Sequence, residues 1–245
     1  MIAVPNKAQA AVISKISGPL LVVAGPGSGK TFCLVERVAN ILRTENTDPS
    51  RILISTFTEK AAKELVTRIT SKLGGIGAVA NPLDLTVGTL HSIFLKLLEE
   101  FRAHTRLQKN CTVLDQFDQQ YFVFQQIREF REIEGIEQAL GLNGPQSSWR
   151  FAGSLSAWLN KISEEGVSGE EMIKSNTPEM LASGQAYNLY QKILREFNYL
   201  DFSTIQVEML RLLDNPTVCD EIQGRFDYLM IDEYQDTNTI QEKII

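Results

Sequence analysis

The sequence predicts an α/β protein: a parallel sheet covered by helices and interrupted by a large helical insertion. Two observations carry this. Short apolar runs rich in β-branched residues alternate with amphipathic helical stretches from residue 19 to residue 101. That alternation then stops, and helical patterns follow one another until a last apolar run at 226–231.

The first run, 19–24, reads as a buried strand. The stretch 31–43 after it places Leu34, Val35, Val38, Ile41 and Leu42 at helical spacing. The second run, 51–57, is followed by Thr58, a residue suited to an N-cap, and by a helix with Ala61, Ala62, Leu65, Ile69 and Leu73 on one face. The third, 84–88, ends at Gly88. Thr89 then suits the cap of a helix carrying Ile93, Phe94, Leu97, Leu98 and Phe101. Further helices are predicted over 117–134, 148–165, 178–197 and 203–213, divided by loops with Gly, Asn and Pro. The cluster Tyr121-Phe122-Val123-Phe124, like Trp149 and Trp158, is expected to pack in the core of that insertion. The expected division is 1–90 with 225–245 for the sheet domain and 91–224 for the insertion.

A chain of 245 residues with 43% hydrophobic and 22% charged residues has the make-up of a globular protein able to bury a core. No apolar run approaches the roughly 20 residues of a membrane span, and residues 1–7 lack a signal-peptide layout. The expectation is a cytoplasmic protein with no membrane partner. Cys33, Cys111 and Cys219 are odd in number and far apart, which suits free thiols rather than disulfides or zinc. His91 and His104 are too few for a metal cluster. The net charge of −6 argues against a general electrostatic coat of nucleic acid but leaves room for a local groove.

The chemistry begins at the turn after the first apolar run. Gly25-Pro26-Gly27-Ser28-Gly29-Lys30-Thr31, with Ala24 before it, is read as the phosphate-loop pattern G-x-x-x-x-G-K-[ST]. Glycines let successive N–H groups converge on an anion, and the following helix N-terminus adds partial positive charge. Lys30 can then reach the β and γ phosphates of a nucleotide, and the Thr31 hydroxyl can hold Mg²⁺. Far downstream, Asp232-Glu233 follows an apolar strand. One carboxylate at such a strand end can hold Mg²⁺, and a second can polarise the attacking water.

The string Ile231-Asp232-Glu233-Tyr234-Gln235-Asp236-Thr237-Asn238 resembles motif II of the UvrD/Rep-like superfamily 1 DNA helicases, V-D-E-F-Q-D-T-N. Other resemblances fall in that family's order. Residues 6–12 look like its Q motif. Thr56-Phe57-Thr58-Glu59-Lys60-Ala61-Ala62 resembles motif Ia, with Glu59 in place of asparagine, and Gly88-Thr89-Leu90-His91-Ser92 resembles motif Ib. Val113-Leu114-Asp115 and Tyr199-Leu200-Asp201-Phe202 resemble segments of its inserted domain and of the stretch before motif II.

The resemblance implies an incomplete P-loop NTPase (RecA-like) sheet domain with an all-helical inserted subdomain. It implies ATP and Mg²⁺ as cofactors. Gln9 and Arg37 would lie at the adenine, and Lys30 and Thr31 at the phosphates and metal. Asp232 would sit on the metal, with Glu233 as the base. It also implies that Phe57, Thr58, Thr89 and His91 line a path for single-stranded DNA, while the insertion meets duplex junctions or partners. The carboxylate of Glu59 falls beside that path.

In such helicases a second RecA-like domain and further motifs lie C-terminal to motif II. The chain is therefore expected to be the N-terminal part of a 3′–5′ DNA helicase, binding ATP·Mg²⁺ with little hydrolysis by itself. The strand after motif II in the family lies between the phosphate-loop strand and the motif II strand, so the motif II strand is expected to be displaced, swapped or weakly held. The rival readings are a nucleotide switch and a scaffold without motor activity.

Overall fold

The computed structural model describes residues 4–74, 81–142, 144 and 146–245. Its strands are β1 (Ile52–Ser55), β2 (Thr86–Gly88), β3 (Thr112–Leu114), β4 (Tyr199–Asp201) and β5 (Tyr228–Ile231). The helices are α1 (Lys7–Ser14), α2 (Lys30–Thr44), α3 (Glu59–Gly74), α4 (Leu90–Glu100), α5 (Gln116–Gln125), α6 (Ile127–Arg131) and α7 (Ile136–Ala139). They continue with α8 (Ser148–Glu165), α9 (Gly169–Ile173), α10 (Pro178–Phe197), α11 (Phe202–Leu213), α12 (Pro216–Arg225) and α13 (Thr239–Ile244). The chain divides into a mixed α/β unit, residues 1–93 with 220–236, and a mainly helical unit, 94–219 with 237–245.

In the α/β unit the sheet order is β2-β1-β5, and both pairings are parallel. Every position of β1 is buried, as a central parallel strand covered on both faces requires. The apolar stripes of α2 and α3 supply that cover on the face of Ile52 and Ile54: Val38, Ile41, Ile52, Ile54, Leu65 and Ile69 form one core. Each such side chain withdrawn from water contributes about 1.5–3 kcal/mol. Thr58 caps α3 as expected, its hydroxyl accepting from Ala61 N at 3.1 Å. Thr89 likewise accepts from Ser92 N at 3.2 Å at the start of α4.

One expectation about this sheet fails and another is narrowed. The run 19–24 forms no strand, and Leu21 and Val23 are 74% and 90% exposed. β5, in contrast, is neither displaced nor swapped: it lies in an ordinary parallel ladder with β1, from Ile52 opposite Tyr228 to Ser55 opposite Ile231. The reason is that a strand exists only where a neighbour accepts its hydrogen bonds. Both edges of β1 are taken by β2 and β5, and among the described residues the run 19–24 pairs with the open outer edge of neither. A cavity of about 550 Å³ runs beside Asp227, Tyr228, Leu229 and Met230, with Gly18 and Pro19 on its wall.

The helical unit packs α5, α8 and α10 around Phe122, Phe151, Leu155, Leu159, Tyr190 and Leu194. It is not all-helical, because β3 and β4 pair in parallel. Strands of three residues are too short to show the alternation by which a sequence betrays them. The predicted helix 117–134 is broken at Gln126, which leaves helical geometry at φ −98° and ψ 12°. Phe122 is buried as expected, whereas Tyr121 and Trp149 are exposed. The last nine residues, assigned from sequence to the sheet domain, pack with this unit: α13 lies on α8 and α11 and buries Ile240.

A polar cluster threads the helical core. Asp201 caps α11, accepting from Thr204 N at 2.7 Å, and also accepts from the Tyr190 hydroxyl and from Gln119 Nε2 at 3.0 Å. Gln119 in turn exchanges bonds with Asn160 at 2.7 and 3.1 Å. Burial pushes the Asp201 carboxyl up, against the pull of the donors around it.

Candidate nucleotide and strand site

The glycine turn lies between the unpaired run and α2. Gly27 and Gly29 both take the left-handed conformation, at φ 73° and 88°, which admits glycine with least strain. The turn closes on itself where Ser28 N and Oγ both donate to Gly25 O, at 3.3 and 2.7 Å. Gly29 is the N-cap of α2 and has no side chain to cover the free N–H groups there. Lys30 and Thr31 occupy the first turn of the helix. Ala24, not glycine, stands at the first position of the phosphate-loop pattern, and its carbonyl accepts from Lys30 Nζ at 3.3 Å.

The structure brings this turn to the end of β5. Lys30 Nζ lies 3.8 Å from Glu233 Oε1. Asp232 N continues the ladder by donating to Ser55 O at 2.8 Å, so the carboxylate leaves the sheet at a fixed point. Glu233 follows at φ 52°, a conformation rare for a residue with a β-carbon, and its Oε2 accepts from Gln235 Nε2. Burial, and then the neighbouring Glu233 carboxylate, push the Asp232 carboxyl above the ordinary range, while Lys30 pulls it down. A cation, two adjacent carboxylates and the amide-rich start of a helix are thus grouped within one unit.

The base-side candidates divide. Gln9 reaches the turn: its Nε2 donates to Ser28 O at 3.0 Å. Arg37 is turned instead toward the end of α1, where Nη1 donates to Val12 O at 2.7 Å and to Lys15 O.

On the other loops of the sheet, Phe57 is 66% exposed, a large apolar ring left in solvent directly after β1. Thr58 and Thr89 use their hydroxyls as helix caps. His91, the second residue of α4, is partly buried, and that burial lowers its pKa. Glu59 stands among them, with Thr89 Oγ1 donating to its Oε1 at 3.1 Å. Sequence reasoning missed Asn40, whose Nδ2 donates to Ile13 O at 3.1 Å, because its partner is a backbone atom that no residue pattern displays.

Residues 5–245 match the family described as the UvrD/REP helicase N-terminal domain. The chain belongs to that family. Among relatives of this UvrD/REP chain, a probable DNA helicase II homolog of Mycoplasma capricolum is 31% identical over 98% of this chain and 32% of its own length. The ATP-dependent DNA helicase SRS2 of Saccharomyces cerevisiae is 32% identical over 95% of this chain and 20% of its own length. The ATP-dependent DNA helicase PcrA of Staphylococcus aureus is 29% identical over 98% of this chain and 31% of its own length. This UvrD/REP chain therefore spans less than a third of the length of each of these three relatives. No helix among the described residues is long and apolar enough to cross a membrane.

Proposed function

We propose that this chain is the ATP-binding and strand-binding part of an ATP-dependent DNA helicase. The whole protein would move 3′ to 5′ on single-stranded DNA in cytoplasmic repair, replication or recombination. Its α/β unit would be an incomplete RecA-like P-loop domain. The observation that carries this reading is the position of Lys30, bonded to Ala24 O and 3.8 Å from Glu233 Oε1. A cation at the head of a glycine turn faces carboxylates at a strand end, as an ATP·Mg²⁺ site requires. The family and the helicase relatives support it.

The donor set suits magnesium. Thr31 and Asp232 offer hard oxygen atoms, and no group of three or more His, Cys, Asp or Glu side chains forms a metal cage among the described residues. Bound there, Mg²⁺ supplies charge neutralisation on the phosphates. The chain's own residues do the remainder. N–H groups at the start of α2 and the Lys30 ammonium orient the phosphates, the Gln9 amide meets the base, and Glu233 is placed to accept a proton from water. Phe57 stacks on a base of the single strand, bordered by Thr58, Thr89 and His91, and the helical unit meets duplex junctions. In the whole protein a C-terminal RecA-like domain would complete the cleft, so this chain alone binds ATP with little turnover.

The test is a titration of a fluorescent ATP analogue into the chain, with and without Mg²⁺. Saturable, Mg²⁺-dependent binding is expected, and Lys30→Ala should weaken it by roughly ten- to a hundredfold, the loss of one charge-assisted contact. Binding indifferent to both Mg²⁺ and Lys30 overturns the reading. In the whole protein, ATP turnover that does not respond to single-stranded DNA would point to a nucleotide switch.

A further inference from the structure

Resting on that nucleotide reading, we propose that Arg37 is a positioning residue: it clamps the C-terminal end of α1 onto α2 and so holds the Gln9 amide against the glycine turn.

Helix α1 has eight residues, none of them buried, and no basic residue in its last turn. A helix this short, with Val12 and Ile13 only half-buried, is not stable by its own hydrogen bonds. Its last carbonyls also have no intrahelical donors. Two side chains of α2 supply them. Arg37 Nη1 donates to Val12 O at 2.7 Å and to Lys15 O, and Nη2 donates to Ile16 O at 3.2 Å. Asn40, on the same face of α2, takes Ile13 O at 3.1 Å. The guanidinium also places a full positive charge at the negative end of the α1 dipole.

The other end of α1 carries the functional group. Asn6 and Gln9 form a reciprocal capping box, with Gln9 N donating to Asn6 Oδ1 and Asn6 N to Gln9 Oε1, each at 2.9 Å. The Gln9 carbonyl oxygen is thereby fixed, which orients Nε2 toward Ser28 O at 3.0 Å. The approach is close: a β-carbon at Gly29 would lie 2.9 Å from Gln9 Nε2. The glycine turn, Gln9, the α1 axis and Arg37 therefore form one chain of contacts that starts and ends on α2. Without Arg37, the C-terminal end of α1 loses its guanidinium bonds and Gln9 loses its fixed orientation, although Arg37 itself need not touch a base.

Hydrogen exchange and nucleotide discrimination together test this. Without nucleotide, Arg37→Gln should speed amide exchange in α1 at least about tenfold while β1 and α3 keep their rates, and Arg37→Lys should fall between. In the second arm, affinity for ATP is compared with affinity for inorganic tripolyphosphate. Gln9→Ala and Arg37→Gln should each reduce the preference for ATP by a similar factor, and the double variant by no more than either. Unchanged α1 exchange in Arg37→Gln overturns the clamp. A double-variant factor equal to the product of the single factors overturns the positioning role and assigns Arg37 to the base directly. Failure of the unaltered chain to bind ATP removes the nucleotide reading and with it the positioning role, while the exchange arm still decides the clamp.

Discussion

Thr89 and Glu59 are joined across the loops that follow β2 and β1: Thr89 Oγ1 donates to Glu59 Oε1 at 3.1 Å. The Ser92 hydroxyl first, and that of Thr89 after it, hold the Glu59 carboxyl below its ordinary range, so it is ionised at neutral pH. A fixed negative charge therefore stands beside exposed Phe57, where the proposed single strand would pass. Glu59→Asn should raise single-stranded DNA affinity by about two- to fivefold at low salt, the scale of one exposed charge interaction. The gain should shrink as salt screens the phosphates. Fluorescence anisotropy with a labelled oligonucleotide checks this, and an unchanged or weakened affinity counts against a strand on this face.

Asp201 is the hub of the helical unit, since it joins α11, α10 and α5 through Thr204, Tyr190 and Gln119. Asp201→Ala leaves the Tyr190 hydroxyl and the Thr204 N–H short of an acceptor in a buried site and removes one of the acceptors of the Gln119 amide. The expected loss is about 2–4 kcal/mol of stability. Urea unfolding followed by the fluorescence of Trp149 and Trp158, both in this unit, measures it.

Burial lowers the pKa of His91 from its ordinary value of 6.5, so the folded chain favours the neutral ring. The unfolded chain then binds more protons than the folded one just below that pH. Stability contributed at this site is therefore full above about 6.5 and declines as pH falls toward the folded value. His91→Asn, which cannot titrate, should flatten that part of the curve of urea midpoint against pH. A variant whose curve keeps the slope of the unaltered chain would show that the decline arises elsewhere.

Much of the site was legible because its chemistry is carried by residue types in fixed order. The motifs assign Lys30 and Glu233 to one nucleotide without pairing them, and the structure places the two side chains 3.8 Å apart. The capping roles of Thr58 and Thr89 were equally readable, since a hydroxyl before an amphipathic run has one obvious use. The run 19–24 was misread for a physical reason: apolar, β-branched composition records a tendency to pair, but pairing belongs to two strands. The bonds of Arg37 were invisible because their acceptors are main-chain carbonyls. Strands β3 and β4 were likewise too brief to leave a periodic trace.

The unladdered approach to the glycine turn has a thermodynamic corollary. Among the described residues no strand lies beside the run upstream, and the turn is anchored through the first turn of α2, the Gln9 amide on Ser28 O and the Lys30 ammonium on Ala24 O. Any strand that came to lie against residues 19–24 would shelter Leu21 and Val23 and steady the turn in the same act. If the turn binds phosphate as proposed, sheet closure and anion capture at this place would be linked equilibria, each making the other more favourable by the same free energy.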